Sequence, residues 1–322
     1  MSRKELALAL LLAVLCAATA ALNPRFLGVD NLQNMARLTG LFGIFSIGLG
    51  AAIITGGIDL SVGSLFALQG VLLAMALREW NWGWAVAVAA ALAGPAALGW
   101  LHGWLVVRMR LQPFIVTLCG LLVYRGAARF LANDETKGFG SGNFGPLRAL
   151  AAGDVLGVPM SFVLLLAVAA VTGVLLNRSV YGRWLLATGR NEEAARYSGV
   201  PTARVIMGAY VVSGALAGVS GILIAFYTNS ISPASHGNFY ELYGIAAAVL
   251  GGCTLRGGEG SVTGIVIGTA ILQVLQNLVN LLGIPSSLNF AVMGAVILLG
   301  VLADELVGRW RPGGGGGRPN ST

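Results

Sequence analysis

Charge is what this chain has least of. Only 10% of its 322 residues are Asp, Glu, Lys or Arg, against about 25% in an ordinary soluble domain, and the mean hydropathy is +0.80. Such a composition excludes a water-soluble domain and reads as a multi-span membrane protein. Cysteine is also scarce: Cys16, Cys119 and Cys253 stand alone in apolar runs without a CxxC spacing, which argues against a disulfide framework or a zinc ribbon. The two histidines, His102 and His236, are far apart in sequence, so no metal site is expected. No GxxxxGK(S/T) phosphate loop, HExxH zinc helix or GxSxG nucleophile elbow occurs, so catalysis by this chain is not expected either. The net charge of +7 is not gathered into basic patches interleaved with aromatics, which argues against nucleic acid as a partner.

What is present is a series of apolar runs, at residues 6–22, 39–55, 61–77, 84–107, 113–131, 158–176, 205–227, 242–255, 262–280 and 288–303. About 20 residues are needed to cross a bilayer as a helix. The short case is 242–255, which ends in Gly251-Gly252. Residues 6–22 follow Arg3 and Lys4, and Ala18-Thr19-Ala20 also fits a signal-peptidase site; retained or cleaved, the segment sets the same orientation downstream. With the N-terminus in the cytoplasm and every run crossing, thirteen of the twenty Lys and Arg residues fall on the cytoplasmic side and seven on the other. That is the asymmetry the positive-inside rule demands. Were 242–255 not to cross, Arg309, Arg311 and Arg318 would move outside, so it is counted as a span. The expected fold is an all-α polytopic membrane protein of about ten transmembrane helices, some short or broken. Residues 1–305 form the membrane domain, and the glycine-rich stretch 306–322 forms a cytoplasmic tail disordered by composition.

The most polar long interruption runs from Asn177 to Arg204, with Arg178, Arg183, Arg190, Arg196 and Arg204 set around Glu192 and Glu193. Inside it the pattern predicts a short helix over Glu192–Ser198. Asn191 is a capping residue, Glu192 and Glu193 face the positive end of the dipole, Gly199 suits a left-handed cap, and Pro201 blocks continuation. Glu192 and Arg196 are spaced for an i,i+4 pair worth about 0.2–0.5 kcal/mol. Two turns do not persist alone in water, so neighbouring spans or a partner protein must brace them.

Asp59 is the one acid deep in the first half of the membrane region, within Gly56-Gly57-Ile58-Asp59-Leu60-Ser61-Val62-Gly63-Ser64. A mid-span carboxylate costs about 2.5–3.5 kcal/mol on insertion scales. A helix that breaks at Gly56-Gly57 and restarts near Ser61 offers free backbone N–H groups to compensate it. Asp59 is then a structural cap, or the broken helix with Gly63 and Ser64 lines a solute path; the two roles are compatible. Gly260, Gly264 and Gly268, Gly214 and Gly218, and Gly99 and Gly103 recur every fourth residue, a signal of close helix packing. Gln276, Asn277 and Asn280 either tie helices together or meet a polar solute. With Asp59 nearly alone as a buried charge, an ion-coupled carrier is disfavoured, and the chain reads as a conduit driven from elsewhere.

Three stretches carry a resemblance: Gly56 to Ser64; Gly189-Arg190-Asn191-Glu192-Glu193-Ala194-Ala195-Arg196-Tyr197-Ser198-Gly199-Val200; and Gly251-Gly252 through Gly257-Gly258-Glu259-Gly260-Ser261. In order and spacing they are similar to the membrane permease subunit of bacterial sugar-uptake ABC transporters of the ribose, xylose, rhamnose and autoinducer-2 class. The resemblance covers residues 1–305. It implies an inner-membrane subunit with both termini cytoplasmic, paired with a second permease copy or paralogue. It also implies a cytoplasmic ATPase of two fused nucleotide-binding halves, which binds the ATP, and a periplasmic sugar-binding protein. Asn191, Glu192, Glu193, Ala194, Ala195, Arg196 and Gly199 would form the surface on which the ATPase docks, the two alanines giving a smooth side that sinks into a groove. Related permeases for branched-chain amino acids or other small solutes, and an ATPase-independent secondary transporter, are the alternatives.

Overall fold

The computed structural model describes residues 3–140 and 144–285, with isolated positions between 288 and 298. The expected span at 288–303 is described only at those positions, and the tail 306–322 lies outside the described residues. Inside lipid, every backbone N–H and C=O has to be satisfied within the protein, and the apolar runs accordingly become helices. In chain order they are α1 (Arg3–Leu22), α2 (Val29–Ile54), α3 (Val62–Arg78), α4 (Trp84–Arg108), α5 (Pro113–Ala132), α6 (Gly145–Ala152), α7 (Met160–Arg178), α8 (Val180–Arg190), α9 (Glu192–Tyr197), α10 (Thr202–Thr228), α11 (Tyr240–Leu250) and α12 (Val262–Leu281). Seven of them, α1, α2, α4, α5, α7, α10 and α12, are long and apolar enough to cross a membrane. Among the described residues, four two-residue strands form two small antiparallel ladders: β1 (Lys137–Gly138) with β4 (Ser230–Ile231), and β2 (Asp154–Val155) with β3 (Val158–Pro159).

Helices α2 and α10 form the centre and are buried along most of their length, whereas α1, α4, α5 and α7 keep broad apolar flanks exposed. Small residues set the closest crossings. A Cβ on Gly99 or Gly103 of α4 would strike the backbone of Tyr210 or Met207, and one on Gly214 of α10 would strike the carbonyl of Pro95. Gly264 and Gly268 of α12 press likewise on Gly251 and Ala247. Gly260 is not part of that helical face; it precedes the Ser261 cap of α12 and meets the side chains of Ile54 and Cys253. Asn277 and Asn31 exchange amide hydrogen bonds of 2.6 and 3.2 Å, tying α12 to α2.

The expected span at 242–255 is built differently from a single helix. Helix α11 has 11 residues and so rises only about 16 Å, half of a ~30 Å hydrocarbon layer. The other half of the crossing is a non-helical leg, residues 229–239, that includes β4 and a run of turns. Such a leg is tolerated at membrane depth only where protein supplies its hydrogen bonds. Leg and helix together return the chain from the far end of α10 to Gly251, beside the start of α12. At the matching place in the first half, α2 stops at Ile54 and the chain runs without helix to Ser61 before α3 begins.

Candidate coupling surface and mid-depth site

Helix α9 spans Glu192–Tyr197, one residue shorter than its pattern predicts. Asn191 in extended conformation closes its start, Oδ1 accepting from the amide of Ala194 at 2.9 Å. Its end is closed by Gly199 at φ +84°, where the amide of Val200 returns to the carbonyl of Ala195 at 3.0 Å. The spacing of Glu192 and Arg196 suggested an ion pair, but the side chains part: Glu192 Oε1 accepts from Thr202 Oγ1 at 3.3 Å, and the Arg196 guanidinium lies 5.8 Å from the Tyr197 ring centroid. The two alanines also part. Ala195 is buried against the chain's own helices while Ala194 faces out, because consecutive residues lie about 100° apart on a helix. Of the two alanines, Ala194 is the one presented outward. The outward face is Glu192, Glu193, Ala194, Arg196, Tyr197 and Ser198, with Tyr197 80% exposed. An exposed aromatic among charges is a contact signal, and its place in the Gly189–Val200 motif was the cue available in the sequence.

The end of α8, from which α9 follows, is held by a junction of backbones. A Cβ on Gly189 would run into the carbonyl of Ile54 and the amide of Gly258, while Gly257 abuts the backbones of Gly56 and Gly189. The amide of Gly258 donates to the carbonyl of Ile54 at 2.8 Å. Gly56, Gly257 and Gly258 all hold positive φ, at +82°, +83° and +79°, which glycine alone adopts without strain. All three sequence motifs thus meet at one end of the bundle. Helix α8 is anchored there too, the hydroxyl of Tyr181 donating to the carbonyl of Val205 at 3.1 Å. Burial pushes that hydroxyl up to about 12, so it stays a donor at physiological pH.

A cavity of ≈ 690 Å³ opens between α9, the Gly56-Gly57 turn, the 109–112 turn and α10. It brings Gly56 and Gly57 together with Glu192, Glu193 and Arg196, and Arg110 faces them across it. Asn191 and Ala194 are exposed outside it, and Ser61, Gly63 and Ser64 are buried deeper. Gly57 and Tyr210 form part of its inner wall; the Tyr210 hydroxyl reaches the Ile58 carbonyl at 3.4 Å.

Beyond that wall lies Asp59, 2% exposed. Its Oδ1 accepts from the amide (3.0 Å) and the hydroxyl (2.6 Å) of Ser61, and its Oδ2 from the hydroxyl of Ser213 at 2.8 Å. The carboxylate thereby joins the broken helix to α10. Other buried or half-buried ionisable residues accompany it, which corrects the reading of Asp59 as nearly alone. Glu241 is 7% exposed and lies on the Gly63 backbone. His102 is buried, its Nε2 2.8 Å from the hydroxyl of Tyr124, and Arg125 follows on the same helix. Arg125 in the middle of the 113–131 run was the visible cue, since arginine within a span is costly and needs partners.

A helical bundle with two interrupted crossings, buried charges at the interruptions and a braced peg at one end defines a polytopic membrane permease. The family described as branched-chain amino acid transport system permease components matches residues 31–301, and the chain belongs to it. It is similar to the ribose import permease protein RbsC of Escherichia coli K12, 39% identical over 295 residues and 91% of each chain. It is also similar to the protein of that name in Haemophilus influenzae, 35% identical over 299 residues and 92% of each chain. The L-arabinose transport system permease protein AraH of Escherichia coli K12 is 32% identical over 293 residues, 91% of this chain and 88% of that one. No solved structure matches the chain.

Proposed function

We propose that the chain is the transmembrane subunit of an ATP-driven importer that forms the path for a monosaccharide or related small polar solute. The observation that carries this reading is the glycine junction of Gly56, Gly189 and Gly257-Gly258, which fixes a capped helix, α9, as a stiff outward peg at one end of a bundle that contains no nucleotide motif. Force delivered to α9 enters the bundle at the break between α2 and α3 rather than bending a loop. In this reading that end is cytoplasmic, as are both termini, and the chain lies in a bacterial inner membrane. A cytoplasmic ATPase with two fused nucleotide-binding halves binds the ATP and docks on Glu192, Glu193, Ala194, Arg196 and Tyr197. A second permease subunit, like or unlike, completes the path, and a periplasmic sugar-binding protein delivers the solute to the opposite end. The chain itself is non-catalytic and holds no cofactor. The names of the relatives, ribose and L-arabinose permeases, support a sugar; the family's description supports a branched-chain amino acid as the second reading.

The mechanism is alternating access. ATP binding closes the partner's halves, α9 moves with them, and the interrupted crossings rearrange so that the path faces one side and then the other. Cysteines in place of Glu193 and Ser198 test the docking: they should cross-link to the ATPase and react with impermeant thiol reagents only from the cytoplasm. Tyr197→Ala should leave stability unchanged, because the ring is exposed, yet lower uptake per ATP hydrolysed. Labelling from the periplasm, or uptake that persists without the ATPase, would sink the reading.

A further inference from the structure

The strongest observation outside that machinery is the place where the two interrupted crossings touch. Helices α3 and α11 both begin inside the bundle, and their first turns abut: a Cβ on Gly63 would strike the carbonyl of Gly237 and Oε2 of Glu241. The leg before α11 leaves backbone carbonyls with no helical partner. Arg125, in the middle of α5, supplies them. Its Nη1 donates to the carbonyls of Pro233 at 3.0 Å and His236 at 2.8 Å, and its Nη2 reaches the carbonyl of Gly63 at 3.5 Å. Glu241 lies at the same joint, its Oε2 against the backbone of Gly63. One side chain therefore fastens α5 to the leg and to the start of α3 at once. The planar, multiply donating guanidinium suits this task; a lysine ammonium on its flexible stem does not span the same three acceptors.

Helix α5 also packs into the bundle through Val116, Thr117, Gly120, Tyr124 and Ala128, with Thr117 Oγ1 donating to the Ile58 carbonyl at 3.1 Å, and it turns its other face outward. Phe114, Ile115, Leu122, Val123 and Phe130 are exposed, and its start follows directly on the 109–112 turn that lines the cavity opposite α9. The foot of α5 and α9 thus border one cavity and are separated by open space; a movement of α9 that closes this space brings the two together. We propose that Arg125 is a positioning residue for transport. Held on the carbonyls of Pro233, His236 and Gly63 it keeps the joint between the two half-helices shut, and a shift of α5 releases it. This rests on the permease reading above. Guanidinium-to-carbonyl bonds suit such a latch because they break and re-form without repacking apolar side chains, whereas backbone pressed on glycine has no second arrangement.

The test uses the chain assembled with its ATPase and solute-binding partner in proteoliposomes, and in parallel in lipid nanodiscs. Arg125→Lys should lower the maximal uptake rate about tenfold while ATP hydrolysis and the half-saturating concentration of loaded binding protein hold, the scale of losing one or two charge-assisted hydrogen bonds. Arg125→Met should go further, hydrolysing ATP with little uptake. In nanodiscs, amides of residues 232–239 should exchange hydrogen faster in both variants, with those of α2 and α10 unchanged. If the Met variant does not accumulate, the Lys variant carries the test. Wild-type uptake per assembled complex in Arg125→Lys, unchanged exchange in 232–239, or uptake and hydrolysis falling together with the amount of folded chain would each overturn the proposal. Wild-type vesicles that take up no solute on adding ATP would instead defeat the permease reading, and the exchange measurement would still decide whether Arg125 holds the joint.

Discussion

Two junctions in this bundle are made of opposite materials. At the α9 end, Gly56, Gly189, Gly257 and Gly258 bring backbone onto backbone with no side chain between them. At mid-depth, Arg125 donates to the carbonyls of the leg before α11, and Glu241 lies beside them on the Gly63 backbone. Backbone contact is stiff, because any added atom collides. Charged hydrogen bonds at a helix break are strong but exchangeable. On the importer reading proposed above, the first junction transmits and the second moves.

The comparison breaks most readily at the glycines. Gly189→Val should cost roughly 3 kcal/mol or more, since its side chain meets the Ile54 carbonyl and the Gly258 amide with no room to yield; thermal unfolding and yield in detergent will show it. Next is Asp59→Ala, which leaves the Ser61 amide and two hydroxyls unpaired, at about 1–3 kcal/mol. Asp59→Asn, which retains acceptor capacity, should lose less by the same measurement. Asn191→Ala removes the cap of α9 and should cost about 1 kcal/mol, read as faster hydrogen exchange over residues 194–198 with the glycine junction unaffected. The smallest effect is expected at Asn277→Ala, which breaks the amide pair with Asn31; amide bonds between membrane helices are worth about 0.6 kcal/mol. A larger loss there than at Asn191 would mean that α12 carries more of the load than either junction.

The elements beside the first junction were legible in the sequence, though their meeting was not. Asn191, Gly199 and Pro201 mark the ends of α9 through local backbone chemistry, and Gly56-Gly57 marks the helix break, because neither signal depends on what packs nearby. The four-residue glycine spacings of α4, α10 and α12 were equally readable. The second junction was not. Arg125 and Glu241 are 116 positions apart, and no local pattern states that the start of α11 folds back against Gly63. The run at 242–255 gave apolarity without showing that half of its crossing would be non-helical.

The sequence by itself determined that this is a many-span helical membrane protein with a capped peg between two spans, because composition, periodicity and capping are properties of neighbouring residues and of the solvent they face. Only the tertiary structure decided which alanine of α9 faces inward, that three distant glycine motifs share one contact, and that an arginine in α5 serves the carbonyls of another crossing. Those outcomes depend on helix rotation and on which unpaired backbone groups come within reach, and both are fixed only when the whole bundle closes.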